Sequence, residues 1–296
     1  GLLLYYFRRM IRKVNTMSRY SITVLEIGYG ENVPQSFYLG DFADPDVTYP
    51  VHPFSMTLLQ GEGKNILIDT GIDMDDPVKQ QIIAGAGIGH TQTPAKILET
   101  VGLKPEDIDA VILTHAHFDH AGALDCYPNA TFYLQKREYM GWTEYVSDPR
   151  YTSIGLFSLD PEDVKRLHVL HEAGRLELID GDKKDLFPGI SVMAAAFGHT
   201  FGQQMVLIET DNMLIIHAGD VANRPENLLG TEAHPYFIPN VKFAAGAPYY
   251  TVMDYERLMK WSLGNIDKII MTHDGSRRER YPGSIGPLGL GIFRIN

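Results

Sequence analysis

The 296-residue sequence predicts an α/β fold in which a sandwich of mixed β-sheets is covered by helices. Three observations lead to this prediction. Short apolar runs of strand length recur along the chain, two pairs of runs are joined by turn-forming residues, and helical patterns lie between the runs without strict strand–helix–strand alternation. Hairpins with intervening helices favour mixed sheets over a single parallel sheet.

The individual elements follow in chain order. Strands are predicted at 21–28, 54–60, 65–69, 108–113, 131–135, 176–180, 190–196, 204–209, 213–217 and 266–271. The hairpin turns lie at 61–64 and 211–212. Helices are predicted at 94–101, 136–146 and 252–263. Residues 224–250 show little periodicity and are interpreted as a long irregular loop of the kind that shapes a substrate site.

We expect a single domain at 17–296, with insertions near 145–175 and 224–250. Residues 1–16 are expected to be a poorly ordered extension. Their apolar run precedes the arginines, which is the reverse of the order in a secretory signal. Because no run of about 18 apolar residues occurs, we expect a cytoplasmic protein that does not bind membranes.

Charge and cysteine content narrow the function further. The formal net charge is −11 at pH 7. An acidic protein repels polyanions, so the charge disfavours nucleic acid and favours a small-molecule substrate. Cys126 is the only cysteine, which excludes an intrachain disulfide. We expect it to pack as a small apolar residue beside a loop of candidate metal ligands.

That loop is residues 115–120, in which His115, His117, Asp119 and His120 crowd together. Imidazole and carboxylate groups bind zinc and related divalent ions. Alternate residues of an extended segment point to the same side, so His115 and His117 can share one ion while Asp119 and His120 turn towards a second. Such groups rarely cluster without a cation that neutralises them.

Three further candidates, His199, Asp220 and His273, each follow a predicted strand. Strand ends can meet at one edge of a sheet, which would bring these side chains to the loop. A single histidine is more often a surface residue or a packed core residue. We interpret four isolated histidines in this way: His52, His90, His168 and His171. His217 and His234 stay open.

The sequence resembles the metallo-β-lactamase superfamily in a set of short motifs: Asp69-Thr70-Gly71, residues 114–122 (THAHFDHAG), Gly198-His199-Thr200, Gly219-Asp220 and Thr272-His273. The resemblance implies an αββα sandwich, with two divalent metal ions at one edge of the sheets. It also implies one site of three histidines, a second site of one aspartate and two histidines, and a bridging aspartate. The three-histidine site would consist of His115, His117 and His199, and the second site of Asp119, His120 and His273. Asp220 would be the bridging aspartate. Zinc is expected, and manganese, iron and cobalt accept the same ligands.

Within the superfamily the chain is most similar to N-acyl homoserine lactonases, a branch that also holds 4-pyridoxolactonase-type enzymes. The similarity lies in Phe118, Gly122, residues 134–139 (LQKREY) and residues 198–204 (GHTFGQQ). The lactonases carry a tyrosine three residues after the bridging aspartate, where this chain has Asn223. Asparagine can donate a hydrogen bond but cannot act as an acid near neutral pH.

The resemblance implies a catalytic group of Asp119, Asp220 and Asn223. We expect a substrate pocket lined by Phe118 and by residues of the 224–250 loop that substitute for the tyrosine. These loop residues are His234, Tyr236 and Phe237.

Together these observations predict a dinuclear-metal hydrolase in which a metal-bridging hydroxide opens a lactone ring. The substrate class includes N-acyl homoserine lactones, whose cleavage is quorum quenching, and other small lactones. Related lactonases include dimers, so a homodimer is compatible with the resemblance. Three alternatives stay open: a glyoxalase II-like thioesterase, a phosphotriesterase or aryl-ester hydrolase, and a non-catalytic metal-binding scaffold.

Overall fold

The computed structural model describes residues 19–85, 87–148, 150, 158–240 and 244–296. The predicted extension at 1–16 and part of the insertion near 145–175 lie outside the described residues. In chain order the strands are β1 (Tyr20–Pro34), β2 (Thr48–Gly61), β3 (Lys64–Ile68), β4 (Ile88–Gly89), β5 (Ala110–Ile112), β6 (Thr131–Gln135), β7 (Leu176–Ile179), β8 (Lys183–Phe187), β9 (Ile190–Ala194), β10 (Gln204–Glu209), β11 (Leu214–His217), β12 (Ile269–Ile270), β13 (Gly283–Ile285) and β14 (Gly291–Arg294).

The helices lie between and around these strands. They are α1 (Ser36–Leu39), α2 (Pro77–Gly85), α3 (Pro94–Glu99), α4 (Lys136–Ser147), α5 (Pro161–Glu172), α6 (Pro225–Leu229), α7 (Pro248–Ser262) and α8 (Arg277–Arg280). Short 3-10 helices occur at Gly40–Phe42, Pro105–Asp107, Leu124–Cys126 and Ile266–Lys268. Five of the described helices, α2, α3, α5, α6 and α7, begin with a proline, whose missing N–H costs nothing in the first turn.

The described strands form two mixed sheets, as predicted. The larger has nine strands in the order β13-β14-β1-β2-β3-β5-β6-β7, with β4 paired to β1. The smaller has five strands in the order β12-β11-β10-β9-β8. Parallel pairing joins β3, β5, β6 and β7 in the larger sheet, and β11 and β12 in the smaller. The remaining pairs are antiparallel.

Apolar side chains fill three layers and so hold helices on both outer faces. Val24 of the larger sheet and Val206 of the smaller are fully buried in the core between the sheets. Leu167 of α5 is buried against the outer face of the larger sheet, and Leu258 of α7 against that of the smaller. Each such side chain contributes about 1.5–3 kcal/mol by leaving water. No helix within the described ranges is long and apolar enough to cross a bilayer.

Several elements differ from the prediction. β2 begins at Thr48 because it pairs with β1 along its whole length, whereas local pattern indicated only 54–60. The predicted irregular loop at 224–250 contains α6 and the first turn of α7. The predicted strand at 266–271 begins as a 3-10 helix, which leaves β12 only two residues long. β8 and β13 escaped prediction because largely exposed strands carry no apolar alternation.

The topology brings two pairs of parallel strand ends to one edge. β3 and β5 are neighbours in the larger sheet, and their chains continue into Asp69 and residues 113–120. β11 and β12 are neighbours in the smaller sheet, and their chains continue into residues 218–220 and 271–273. The carboxyl ends of parallel strands lie at the same sheet edge, so residues far apart in sequence converge there.

Candidate metal centre

A first group of ring nitrogens comes from the loop after β5 and from the connection between β9 and β10. The nearest ligand atoms of His115, His117 and His199 all lie within 4.8 Å of one another. His117 Nδ1 is 3.2 Å from His199 Nε2. All three side chains are buried. The two sheets thus contribute jointly to one cluster of imidazoles.

A second group lies beside the first and consists of Asp119, His120 and His273. Asp119 Oδ2 is 3.2 Å from His120 Nε2 and 3.4 Å from His273 Nε2. The contact with His120 lacks the alignment of a hydrogen bond, since His120 Nε2 has no hydrogen-bond partner among the described residues. The arrangement therefore presents a carboxylate and two imidazoles to a common point.

Asp220 lies between the two groups. Its Oδ2 is 3.6 Å from His199 Nε2 and 3.1 Å from His273 Nε2, and its Oδ1 is 3.4 Å from His120 Nε2. One carboxylate oxygen therefore contacts a member of each group. Gly219, with φ +55°, precedes it, and a Cβ there would lie 2.9 Å from Thr114 Cβ. This close approach presses the Asp220 turn against the start of the histidine loop.

Asp69 supports the centre from below, directly after β3. Its carboxylate accepts hydrogen bonds from the Thr114 backbone N–H at 2.7 Å, the Thr114 hydroxyl at 2.9 Å and His120 Nδ1 at 2.8 Å. Asp69 is fully buried and adopts φ +65°, a conformation that only a few residue types tolerate. A carboxylate behind a histidine fixes the ring orientation and tautomer of that histidine, which is a common support of metal ligands.

Glu138 in the first turn of α4 fastens two loops of the site together. Its Oε1 accepts from the Ala116 backbone N–H at 3.0 Å and from Trp142 Nε1 at 2.7 Å. Its Oε2 accepts from the Gly202 backbone N–H at 2.6 Å. The side chain is fully buried, and burial raises its pKa. One carboxylate thereby links the residue between His115 and His117 to the loop that carries His199.

Burial and mutual charge set the protonation of the first group. Burial, followed by the neighbouring imidazoles, lowers the pKa of His115 and His117. Burial lowers the pKa of His199 to about 4. These imidazoles are therefore neutral near pH 7, which is the state that metal coordination requires.

The second group carries the opposite pattern. Burial alone would raise the pKa of the two carboxylates, but His120 and His273 outweigh this effect. They lower the pKa of Asp119 to about 2 and also lower that of Asp220. Against burial, the same carboxylates raise the pKa of both histidines. His217, left open by the sequence, is buried at the end of β11, and burial lowers its pKa to about 3.

The donor set fits divalent metal ions. Four buried atoms of the cluster have no hydrogen-bond partner among the described residues: Nε2 of His115, His117 and His120, and Oδ1 of Asp220. A buried polar atom without a partner is unfavourable by about 1–3 kcal/mol. Coordination of a cation by these atoms removes that cost. Imidazole nitrogen and carboxylate oxygen are ligands that zinc and related ions accept.

A pocket of about 280 Å³ opens onto the centre. Its floor includes His117, Asp119, His199, Asp220 and His273. Its wall is mainly apolar and is formed by Val33, Phe37, Phe54, Ile88 and Phe118. The structure thus places Phe118 on the pocket wall, with its side chain 6% exposed.

Three residues expected at the pocket lie elsewhere among the described residues. His234 and Tyr236 form a surface aromatic cluster with Phe42, in which the Tyr236 hydroxyl is 2.9 Å from His234 Nδ1. Phe237 packs against Tyr255 beside the smaller sheet. This corrects the expectation that these three residues line the pocket: they cover other surfaces, and the residue that the 224–250 loop contributes to the described pocket lining is Asn240.

Asn223 lies on the pocket wall, but its side chain is partly engaged. Its Oδ1 accepts a hydrogen bond from Asn240 Nδ2 at 2.9 Å, and its backbone N–H donates to Asn227 Oδ1 at 3.2 Å. These bonds tie the turn after Asp220 to the loop before α7.

Two further pocket residues are Tyr38 on α1, which the sequence analysis did not single out, and His52 on β2, which it interpreted as a surface or packed core histidine. Burial, then the charge of Asp220, raises the pKa of Tyr38. Burial, then His273, lowers the pKa of His52. The available signal was period-two alternation, because His52 lies on the same strand face as Phe54 and Met56, which are both buried.

Comparison with known proteins supports this description. Residues 50–250 match the family model of the metallo-β-lactamase superfamily. An N-acyl homoserine lactonase of Bacillus cereus is 27% identical over 182 residues, which cover 57% of this chain and 64% of that protein. An N-acyl homoserine lactonase of a Bacillus species is 28% identical and is covered over 57% of its length. The chain therefore matches less than two thirds of the length of these relatives.

Solved structures share the fold at lower identity. A quorum-quenching N-acyl homoserine lactone lactonase superposes with a TM-score of 0.63 at 21% identity, covering 91% of this chain and 98% of the other. The dizinc quorum-quenching lactonase AidC superposes with a TM-score of 0.61 at 18% identity, covering 94% of this chain and 95% of the other. With the two mixed sheets, the flanking helices and the family match over 50–250, the chain belongs to the metallo-β-lactamase superfamily.

Proposed function

We propose that this protein is a metal-dependent hydrolase that opens a lactone ring. The convergence of histidine and aspartate ligand atoms at the floor of a mainly apolar pocket carries the proposal. The similarity to N-acyl homoserine lactonases favours a lactone over other esters. An N-acyl homoserine lactone, as cleaved in quorum quenching, is therefore the first substrate to test. We also propose that 17–296 form one hydrolase domain, since both sheets share one core.

The ligand assignment follows the two groups of side chains. One ion would take His115, His117 and His199; the other would take Asp119, His120 and His273; Asp220 would bridge them. Zinc is the expected metal, and manganese, iron or cobalt suit the same nitrogen and oxygen donors. When bound, such ions supply Lewis acidity towards an ester carbonyl and a water of lowered pKa.

The chain's own residues supply orientation and shape. Asp119 and Asp220 remain ionised because the adjacent histidines lower their pKa, so both carboxylates would be available to hold cations. Phe118 and the other apolar wall residues receive the acyl or ring part of the substrate and keep bulk water away from it. The side-chain oxygen of Asn223 accepts a hydrogen bond from Asn240, which fixes this part of the pocket wall. The side-chain NH2 of Asn223 is then the group that is available to contact substrate.

A hydrolysis screen with a pH indicator tests the proposal on metal-loaded protein. The panel contains γ-butyrolactone, a long-chain N-acyl homoserine lactone, an aromatic lactone, S-lactoylglutathione, an aryl ester and a phosphotriester. We expect turnover of at least one lactone, loss of turnover on chelation, and recovery when zinc is restored. Replacing His115 by alanine should abolish turnover, whereas the matched replacement of the exposed His168 should not.

Each contrary result selects an alternative. Turnover of the thioester alone indicates a glyoxalase II-like thioesterase and refutes the lactonase proposal. Turnover of the aryl ester or phosphotriester without any lactone refutes it equally. Bound metal without turnover of the whole panel indicates a metal-binding scaffold.

A further inference from the structure

One phenol lies on the described pocket wall, next to the candidate metal centre. It belongs to Tyr38, which is 2% exposed. The Tyr38 ring centroid is 6.4 Å from that of His273, with the ring planes 30° apart. The charges of Asp220 and Asp119 both act on the Tyr38 hydroxyl. The hydroxyl is therefore within electrostatic reach of the pocket floor.

His52 holds this hydroxyl in place. Tyr38 Oη is 2.5 Å from His52 Nδ1 and 3.3 Å from His52 Nε2. The His52 ring stacks on His273 with centroids 4.9 Å apart and meets the edge of Phe54 at 4.7 Å. Because rings on two sides confine His52, the phenol bound to it has a fixed position.

The hydrogen-bond capacity of this pair leaves one donor for a ligand. A phenol offers one donor and also accepts. When the Nδ1–H of His52 donates to the phenol oxygen, the phenol proton is free to donate to another group. An unperturbed tyrosine keeps this proton up to a pKa of about 10.

Ester cleavage develops negative charge on the carbonyl oxygen and on the leaving oxygen, and a preorganised donor at either stabilises the transition state. We infer that Tyr38 donates a hydrogen bond to an ester oxygen of the substrate and that His52 is the positioning residue that holds Tyr38 in place. The inference rests on the proposed hydrolytic function, and it assigns the donor to α1 and β2, outside the metal motifs.

Tyr38→Phe tests the donor, and Tyr49→Phe is the matched control. Tyr49 packs in the same aromatic cluster, with its ring centroid 6.1 Å from that of Tyr38, but does not line the described pocket. We expect Tyr38→Phe to lower kcat about 10–1,000-fold with little change in KM. Tyr49→Phe should stay within about twofold of wild type. Metal content and melting temperature are measured for both, and equal effects of the two variants would overturn the inference.

The positioning role of His52 predicts coupling. His52→Leu should lower kcat about as much as Tyr38→Phe, and the double variant should lose no more than either single variant. His52→Asn keeps a short side-chain donor and should recover part of the lost rate. Multiplicative losses in the double variant, or no recovery in His52→Asn, would overturn this role.

Binding of an alkylphosphonate separates this inference from the proposed function, because its oxygens stand in for the tetrahedral oxyanion. Calorimetry on metal-loaded protein should show at least about tenfold weaker binding by Tyr38→Phe than by wild type or Tyr49→Phe. If wild type hydrolyses no ester but binds the phosphonate in this Tyr38-dependent way, the proposed function fails and the donor assignment stands. Phosphonate binding that does not depend on Tyr38, or no binding at all, overturns the donor assignment.

Discussion

Replacing Glu138 by glutamine should loosen the junction of the two loops that carry His117 and His199. The amide oxygen can keep the bonds that Oε1 accepts from Ala116 and Trp142. In the wild-type protein the Gly202 N–H donates to Oε2 at 2.6 Å. In the variant the amide nitrogen takes the place of Oε2 and faces this N–H. Two donors cannot bond, and a lost hydrogen bond to a charged group is worth about 1.5–3 kcal/mol. The opposite amide orientation would lose two bonds.

The carboxylate also has a burial cost that the amide avoids, so we expect a net loss near the middle of this range, about 2 kcal/mol. At roughly 2–4 °C per kcal/mol for a chain of this size, the melting temperature should fall by about 4–8 °C. Urea unfolding of metal-free protein measures the change, because bound metal would add its own stabilisation. Glu144→Gln on the exposed face of the same helix is the control and should change stability by less than about 0.5 kcal/mol. A Glu138→Gln effect no larger than that of the control would refute the reasoning.

Three further predictions concern buried charges. Lys79 is fully buried against Asp160 and Asp163, so Lys79→Met should remove the buried cation from Asp160 and leave Asp163 paired with Arg166 alone. The unfolding free energy should fall by about 3–5 kcal/mol in urea titrations; retention of wild-type stability would contradict this. Burial raises the pKa of Asp163 from its ordinary value of 3.8 to about 6. Because the folded state binds this proton more tightly than the unfolded state, the contribution of Asp163 to folding stability is greatest below pH 3.8. It is lost as the pH rises through 6. The difference in unfolding free energy between wild type and Asp163→Asn should therefore fall by up to ~3 kcal/mol between pH 4 and 7, and a pH-independent difference would sink the assignment. Asp69→Asn keeps a residue type that tolerates positive φ but removes the charge behind His120. Zinc affinity, measured by chelator competition, should therefore fall about 10–100-fold. Urea unfolding of the metal-free variant checks that it is folded, and unchanged affinity would show that this carboxylate is dispensable.

The sequence was most informative where the chemistry is local. Residues 115–120 place four candidate ligands within one loop, so their proximity needs no knowledge of the fold. His199, Asp220 and His273 could be added because each follows an apolar run, and strand ends meet at sheet edges. The mixed sheets were also predictable, since their central strands carry strong apolar patterns.

The substrate side of the pocket was not predictable in the same way. Tyr38 and His52 meet because β1 and β2 pair along their full length and the short connection between them folds back as α1. Nothing in the local sequence around either residue specifies that long-range pairing. The aromatic residues of the 224–250 loop misled for the converse reason: their presence suggested a pocket wall, but the loop contributes Asn240 to the described pocket instead. Composition does not determine which residues of a loop face a pocket.

The centre is held together by protein contacts that do not involve the ligands themselves. The Gln204 side chain on β10 of the smaller sheet donates to the Leu113 carbonyl at 2.7 Å, and its backbone N–H donates to the Thr114 carbonyl at 2.9 Å. Gln135 at the end of β6 donates to the Gln204 side-chain oxygen at 2.9 Å. These bonds join the sheets directly beneath the histidine loop, and Glu138 joins its outer side. These amide and carboxylate hydrogen bonds already set the approach of the two sheets, so they fix the spacing of the two ligand groups. Metal binding then needs to supply only partners for the buried ligand atoms.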